Sequence, residues 1–176
     1  MDHVILVDIN DNEIGTMEKM EAHRKGLLHR AFSVFIFNSN GELLLQKRNM
    51  SKYHSGGLWT NTCCSHPYPG EDPLTAAKRR LMEEMGMQCN LKPAFSFIYK
   101  VNLDKGMIEH ELDHVFIGTS DNPPTPNTHE VEEFRYIKID ELKKLISDKP
   151  EDFTEWFKIV FSQTVDFFHK RKIDSN

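Results

Sequence analysis

A single mixed α+β domain is what this sequence predicts, on three observations. Apolar runs with strand-like alternation recur along its length, joined by short turn-forming stretches. One segment, DPLTAAKRRLMEEMG, carries both ends of a capped helix, and no linker, repeat or low-complexity tract divides the chain. The 176 residues, 39% apolar and 28% charged, suffice to bury one core without disulfide staples.

HVILVDI reads as the first strand and NDNEIG as the turn after it, because Asn, Asp and Gly tolerate the dihedrals of a tight reversal. MEKMEAHRKGLLHR is compatible with a short helix broken at Gly26. AFSVFIF and ELLLQKR, separated by NSNG, predict a hairpin, and LWTNTCCS a further strand. In the best-marked helix Asp72 is placed to cap, Pro73 suits the first helical position and Gly86 the left-handed terminus. Leu74, Ala77, Leu81 and Met85 form its buried stripe, while Arg79 and Arg80 stand four residues before Glu83 and Glu84 on a charged face. FSFIYKV and MIEHELDHVFIGT flank the turn NLDKG as a second hairpin, and DNPPTPNT is too rich in proline for anything but a surface loop. EFRYIKI follows as a strand, then DELKKLI as a helix capped by Asp140. A last helix starts at about Phe153, with Phe153, Trp156, Phe157, Val160, Phe161, Thr164 and Phe168 on its core face.

Composition narrows the function. The net charge of -5 argues against neutralising a nucleic-acid backbone. No apolar run approaches the roughly 20 residues of a membrane span, and MDHVILVDIND lacks the basic flank and cleavage site of a signal peptide, so no membrane partner and a cytoplasmic location are expected. Three cysteines, two of them adjacent, make a poor disulfide framework and fit a reducing compartment.

Three stretches bear chemistry. In TNTCCSHP, alternation puts Cys64 and His66 on one face and Cys63 and Ser65 on the other. In MIEHELDH it groups Glu109, Glu111 and Asp113, with neighbours in that row about 7 Å apart, able to converge on a cation or divide acid and base work. Adding His23, His29 and His66 to the first two gives three imidazoles and two carboxylates, which suits zinc, manganese or similar ions and not calcium. HELDH also matches the H-E-x-x-H site of zinc proteases. That chemistry needs a helix, since on a strand His110 and His114 stand about 13 Å apart, and the flanking turn residues and VFI predict a strand.

GTMEK from residue 15, HRAF, LLLQKR, LWTNTCCSHP, RRLMEEMG, IEHEL and FTEW together give a chain that resembles the type 1 isopentenyl diphosphate isomerases. The resemblance spans nearly the whole chain. It implies a Nudix-like mixed sheet sandwiched between helices. Glu71, Arg79, Glu83, Glu84 and Gly86 fall in register with a degenerate Nudix box. Ser65 replaces the glycine that opens the box, and Arg80 replaces a metal-binding glutamate of the hydrolases; both weaken a pyrophosphohydrolase reading.

By position, the resemblance assigns His23, His29, His66, Glu109 and Glu111 to one tightly bound divalent metal, manganese or zinc and alternatively magnesium. It assigns catalysis to Cys64 and Glu111 with Tyr99 beside the glutamate. Diphosphate binding falls to Lys19, Arg48, Lys52 and Arg80, with a magnesium held by Glu84 and the Cys64 carbonyl. Trp156 takes the place of the tryptophan over the hydrocarbon. Five residues separate His23 from His29, one different from some relatives. The implied reaction interconverts isopentenyl and dimethylallyl diphosphate in a monomer, with a small isoprenoid diphosphate as partner. It needs a thiolate at Cys64, for which nearby cations are the expected source of a depressed pKa.

Overall fold

The computed structural model describes residues 2–174, with side chains described through residue 170. Among them the elements run β1 (His3–Val7), β2 (Glu13–Glu18), α1 (Lys19–Lys25), β3 (His29–Phe37), β4 (Leu43–Arg48), β5 (Trp59–Thr60) and β6 (Cys63–Ser65). Then follow α2 (Pro73–Met85), β7 (Lys92–Asn102), β8 (Ile108–Thr119), β9 (Val131–Ile137), α3 (Ile139–Asp148) and α4 (Glu155–Asp174). The strands form one mixed sheet centred on β3, which pairs in parallel with β8 from His29↔Glu111 to Phe37↔Thr119.

β3 is buried on both faces, so its residues feed two cores in alternation. Phe32, Val34 and Ile36 meet Ala77, Leu81 and Met85 of α2. Phe35 and Phe37 turn to the other side, where they pack with Leu142 of α3 and with Trp156, Phe157 and Phe161 of α4. This is the expected sandwich of helices around a mixed sheet. Helix α2 begins on Asp72, whose carboxylate accepts from the Leu74 and Thr75 N–H groups, and ends on Gly86 at φ 61°. The aromatic face of the last helix is buried as predicted. Phe153 nevertheless lies before α4, in a bridge to Trp59.

Four local expectations are corrected. Glu13 and Gly15, read as turn, belong to β2, which pairs with β1 from His3↔Glu18 to Val7↔Glu13; the reversal itself is the Asp8 loop, where that carboxylate accepts from the Asn10 and Asn12 N–H groups. Asp140 does not cap α3. Lys138 holds the cap position without a side-chain bond, and Asp140 sits in the first turn, where its charge still complements the helix dipole. The β3–β4 hairpin turns at NSNG but pairs only at Phe37↔Leu43 before its strands part. LWTNTCCS is correspondingly two strands: β5 pairs with β4, and β6 with β3.

Thr62 explains the parting. Its hydroxyl donates to Leu44 O at 2.6 Å and accepts from Ile36 N at 2.9 Å, replacing ladder bonds where β3 and β4 diverge. Asn61 donates to Val34 O and Cys63 O, so the wedge has its buried polar groups satisfied. The wedge carries Cys64 and His66 into the middle of the molecule.

The 121–130 loop joins α2 at its C-terminal end, where Thr125 N donates to Met85 O and Asn127 N to Glu84 O. A Cβ at Gly86 would collide with Thr125 O, and the left-handed backbone there disfavours any side chain. Gly86→Ala should therefore lower stability by roughly 1–3 kcal/mol. Thermal melts against wild type check this; an unchanged midpoint contradicts the close approach.

Candidate active site

Four elements bring imidazoles and carboxylates to one place. Glu18 caps α1 by accepting from Met20 N and Glu21 N, and this helix presents His23, fully buried. His29 opens β3, and His66 follows β6. From β8, Glu109, Glu111 and Asp113 alternate onto the same buried face, as the row of carboxylates predicts. Tyr99, opposite Glu111 in the β7–β8 register, donates to Glu111 Oε2 at 2.6 Å and reaches Glu109 Oε2 at 3.0 Å.

The hydrogen bonds imply the tautomers. His23 Nδ1 lies 2.7 Å from Lys19 O and His29 Nδ1 2.8 Å from Leu27 O; facing carbonyls, both must carry their proton there. Their Nε2 atoms are then lone pairs. His29 Nε2 sits 3.3 Å from His66 Nε2 and 3.5 Å from Glu111 Oε1, and His66 Nε2 sits 2.9 Å from the same oxygen. His23 Nε2 is buried with no hydrogen-bond partner. Lone pairs and a carboxylate converging in a buried space repel unless a cation lies between them. Donor atoms of His23, His29, His66 and Glu111 all lie within 4.8 Å of one another. The residues therefore fit a divalent metal, and the shifted spacing of His23 does not keep it from the cluster.

Burial pushes Glu109 well above the usual carboxylate range, helped by the charge of Glu111. Asp113 is pushed up to about 8 by burial and by Glu111, and accepts a hydrogen bond from Ser33 at 2.7 Å.

Cys64, Glu109, Glu111, Tyr99, His66 and Trp156 line one cavity, whose rim carries Lys19, Arg48, Lys52, Arg80 and Glu84. Every predicted catalytic and substrate-binding residue thus faces the same space. Cys63 points the other way, into the α2 core. The expectation of a depressed thiol pKa is reversed: burial pushes the Cys64 thiol up, and the Arg48 charge works against this without overcoming it. The Arg48 guanidinium also lies over the Trp156 ring, 5.2 Å from its centroid.

The protease alternative fails on geometry. HELDH lies within strand β8, with His110 Nδ1 3.1 Å from Gly26 O and His114 Nε2 2.9 Å from Asp11 Oδ2, so the two rings serve different neighbours.

Sequence reasoning missed three residues here. His54, in SKYHSGG, has no periodic signal, yet its ring is buried beside Glu109. Gln46 donates to Glu84 Oε2 and to Thr62 O, both at 2.8 Å, and so aims the glutamate. Glu130, at the end of the proline-rich loop, pairs with Lys52 and with Arg80. Only the strand alternation ahead of Gln46 offered any signal.

A NUDIX domain model matches residues 27–157. The chain is 53% identical to the isopentenyl-diphosphate Delta-isomerase of Pectobacterium atrosepticum over 173 residues, covering 98% of this chain and 97% of that one. The chain belongs to this isomerase family. Isopentenyl-diphosphate Delta-isomerase 2 of Aromatoleum aromaticum is 51% identical over 155 residues, covering 88% of this chain and 82% of that one. Among solved structures, DR0079 from Deinococcus radiodurans shares the fold at a TM-score of 0.71 and 20% identity, covering 84% of this chain and 90% of that one.

Burial holds His23 down to about 4, aided by His66 and His29, and holds His54 down to about 2, aided by Arg48. Protons then bind the unfolded chain more readily than the folded one below the ordinary value of 6.5. In chelator-stripped protein, stability should be full above that value and fall with decreasing pH, by about 2 kcal/mol near pH 5 for His23 alone. Thermal melts across this range check it; a flat profile contradicts neutral buried rings.

Proposed function

We propose that this isomerase family member shifts the double bond of isopentenyl diphosphate to give dimethylallyl diphosphate, with Glu111, Tyr99 and Cys64 handling the protons. The single observation that carries the reading is one cavity in which a thiol and a tyrosine-linked buried carboxyl meet beside a basic rim. The reaction adds a proton to the terminal methylene of the alkene, which leaves a tertiary cation, and removes one from the chain carbon neighbouring that cation. No electrons leave or enter.

The basic rim acts first. Lys19, Arg48, Lys52 and Arg80 hold the diphosphate, and this binding energy positions the alkene; Glu84 and the Cys64 carbonyl would hold a magnesium, which would add positive charge to that grip. Glu111 with Tyr99 delivers the proton to carbon. His23, His29, His66, Glu109 and Glu111 would hold a divalent ion, manganese or zinc, which when bound would supply Lewis-acid polarisation of that unit. Trp156 and the buried walls keep water from the tertiary cation, and the indole face stabilises it by roughly 2 kcal/mol when desolvated.

Cys64 takes the proton from the neighbouring carbon. Burial disfavours the thiolate this requires, so the sulfur ionises with the help of cations, and Arg48 is one whose field already reaches it. Arg80 argues against a phosphohydrolase, because its guanidinium is bound to Glu83 and Glu84 where that chemistry would use a carboxylate.

All these groups come from one chain, so a monomer suffices, and the three cysteines are free, which supports a reducing, cytoplasmic setting. No helix among the described residues is long and apolar enough to cross a membrane.

Incubation with isopentenyl diphosphate in heavy water should yield dimethylallyl diphosphate carrying deuterium, read by mass spectrometry. Phosphate release without isomerisation would establish a hydrolase instead. Glu111→Gln and Cys64→Ala should each lower kcat by on the order of 10²–10⁴-fold. Cys64→Ala should still bind inorganic diphosphate as wild type does; undiminished turnover in either variant overturns the role assigned to that residue.

A further inference from the structure

A second group of metal-type donors adjoins the first. Donor atoms of His23, His54 and Glu109 all lie within 4.8 Å of one another, and His23 belongs to both groups. The Tyr99 hydroxyl spans them by touching Glu109 and Glu111. His54 is 1% exposed, with Nδ1 3.2 Å from Ser55 Oγ and the ring edge-on to Trp156. Its Nε2 is buried with no hydrogen bond, although Glu109 Oε1 lies only 3.2 Å away. His23 Nε2 is the other buried imidazole nitrogen without a hydrogen bond among the described residues.

Two unpartnered imidazole nitrogens beside one buried carboxylate oxygen are costly as packing alone. A cation removes the cost at a stroke. We propose that His54 is a further protein ligand to the divalent ion, giving one centre with four imidazoles and two carboxylates. This rests on the metal-centre part of the function proposed above, and adds a residue that the family resemblance does not assign.

The chemistry of the set is consistent throughout. The His54 Nε2 atom carries no hydrogen bond and faces the Glu109 carboxylate, so its lone pair is available for coordination. Six protein donors match the coordination number of manganese, magnesium or cobalt rather than the four of a closed structural zinc site. A filled sphere leaves no position for water, which suits a pocket that must shelter a carbocation. Arg48 donates to the His54 carbonyl at 3.2 Å, so the segment carrying this ligand is tied to a cation of the diphosphate rim.

The probe is cobalt(II) alone, added to chelator-stripped protein without substrate. X-ray absorption of the wild-type complex should show one ion per chain with four imidazole nitrogens. His54→Ala should weaken cobalt binding 10- to 100-fold by chelator competition and intensify the visible d–d bands, because the coordination number falls. His54→Gln, whose amide oxygen reaches about as far as Nε2, should restore part of the affinity.

Three imidazoles in wild type, two ions per chain, or a His54→Ala complex with unchanged spectrum would each overturn the assignment. An unchanged spectrum with weakened binding would make His54 a positioning residue for Glu109. Wild-type absorption carries the test even if His54→Ala does not fold. Because the heavy-water assay runs separately, a chain that isomerises but shows three imidazoles loses only the His54 proposal, whereas one that binds no cobalt loses the metal centre as well.

Discussion

Negative charge buried on one strand is the constraint around which this molecule is organised. Glu109, Glu111 and Asp113 are each no more than 5% exposed, and three carboxylates so placed cannot all be ionised without compensation. The fold answers each differently. Tyr99 donates to Glu111 and touches Glu109, Ser33 donates to Asp113, and His29 and His66 face Glu111. The parallel pairing of β3 with β8 makes these answers available together, since it sets His29 directly beside Glu111. A one-residue slip in that register would turn the carboxylates toward the opposite face, where Leu112 packs with the aliphatic Ile5 and Val7 of β1.

The wedge between β3 and β4 is the other half of the construction. An ordinary hairpin would have zipped these strands together and left no room for β6. The Thr62 hydroxyl, serving both strands, lets the ladder open without leaving buried backbone groups unpaired. Cys64 thus reaches the cavity on a strand that flanks β3 on the side away from β8. The thiol and the carboxyl come from opposite neighbours of one central strand, so their separation follows from sheet geometry rather than from a loop.

Patterns with a fixed period were legible in the sequence. Alternation placed Glu109, Glu111 and Asp113 together and separated Cys63 from Cys64, and the helical period with its caps gave α2 and the buried face of α4. What escaped depends on contacts distant in sequence. Nothing local marks Glu13–Glu18 as a strand, because its partner is β1 and its residues are mostly polar and exposed or half-buried. The split of LWTNTCCS depends on Thr62 meeting Ile36 and Leu44. His54 has no period to betray it, and its burial is set by Trp156 from the far end of the chain. The thiol pKa was misjudged for a related reason: cations nearby in the pattern count for less than the desolvation that the finished fold imposes on the sulfur.

Three of the four cations of the rim are not bare. Lys52 is paired with Glu130, Arg80 with Glu83, Glu84 and Glu130, and Lys19 with Asp2. A ligand entering here exchanges partners with internal acids instead of neutralising idle charge, so its net gain is smaller than the count of lysines and arginines suggests. That exchange favours a polyanion over a monoanion, because only several charges acting together can displace acids that the backbone already holds in place. The 121–130 loop supplies one of those acids and is itself bonded to the end of α2. The proline-rich stretch therefore helps set the charge against which a diphosphate competes.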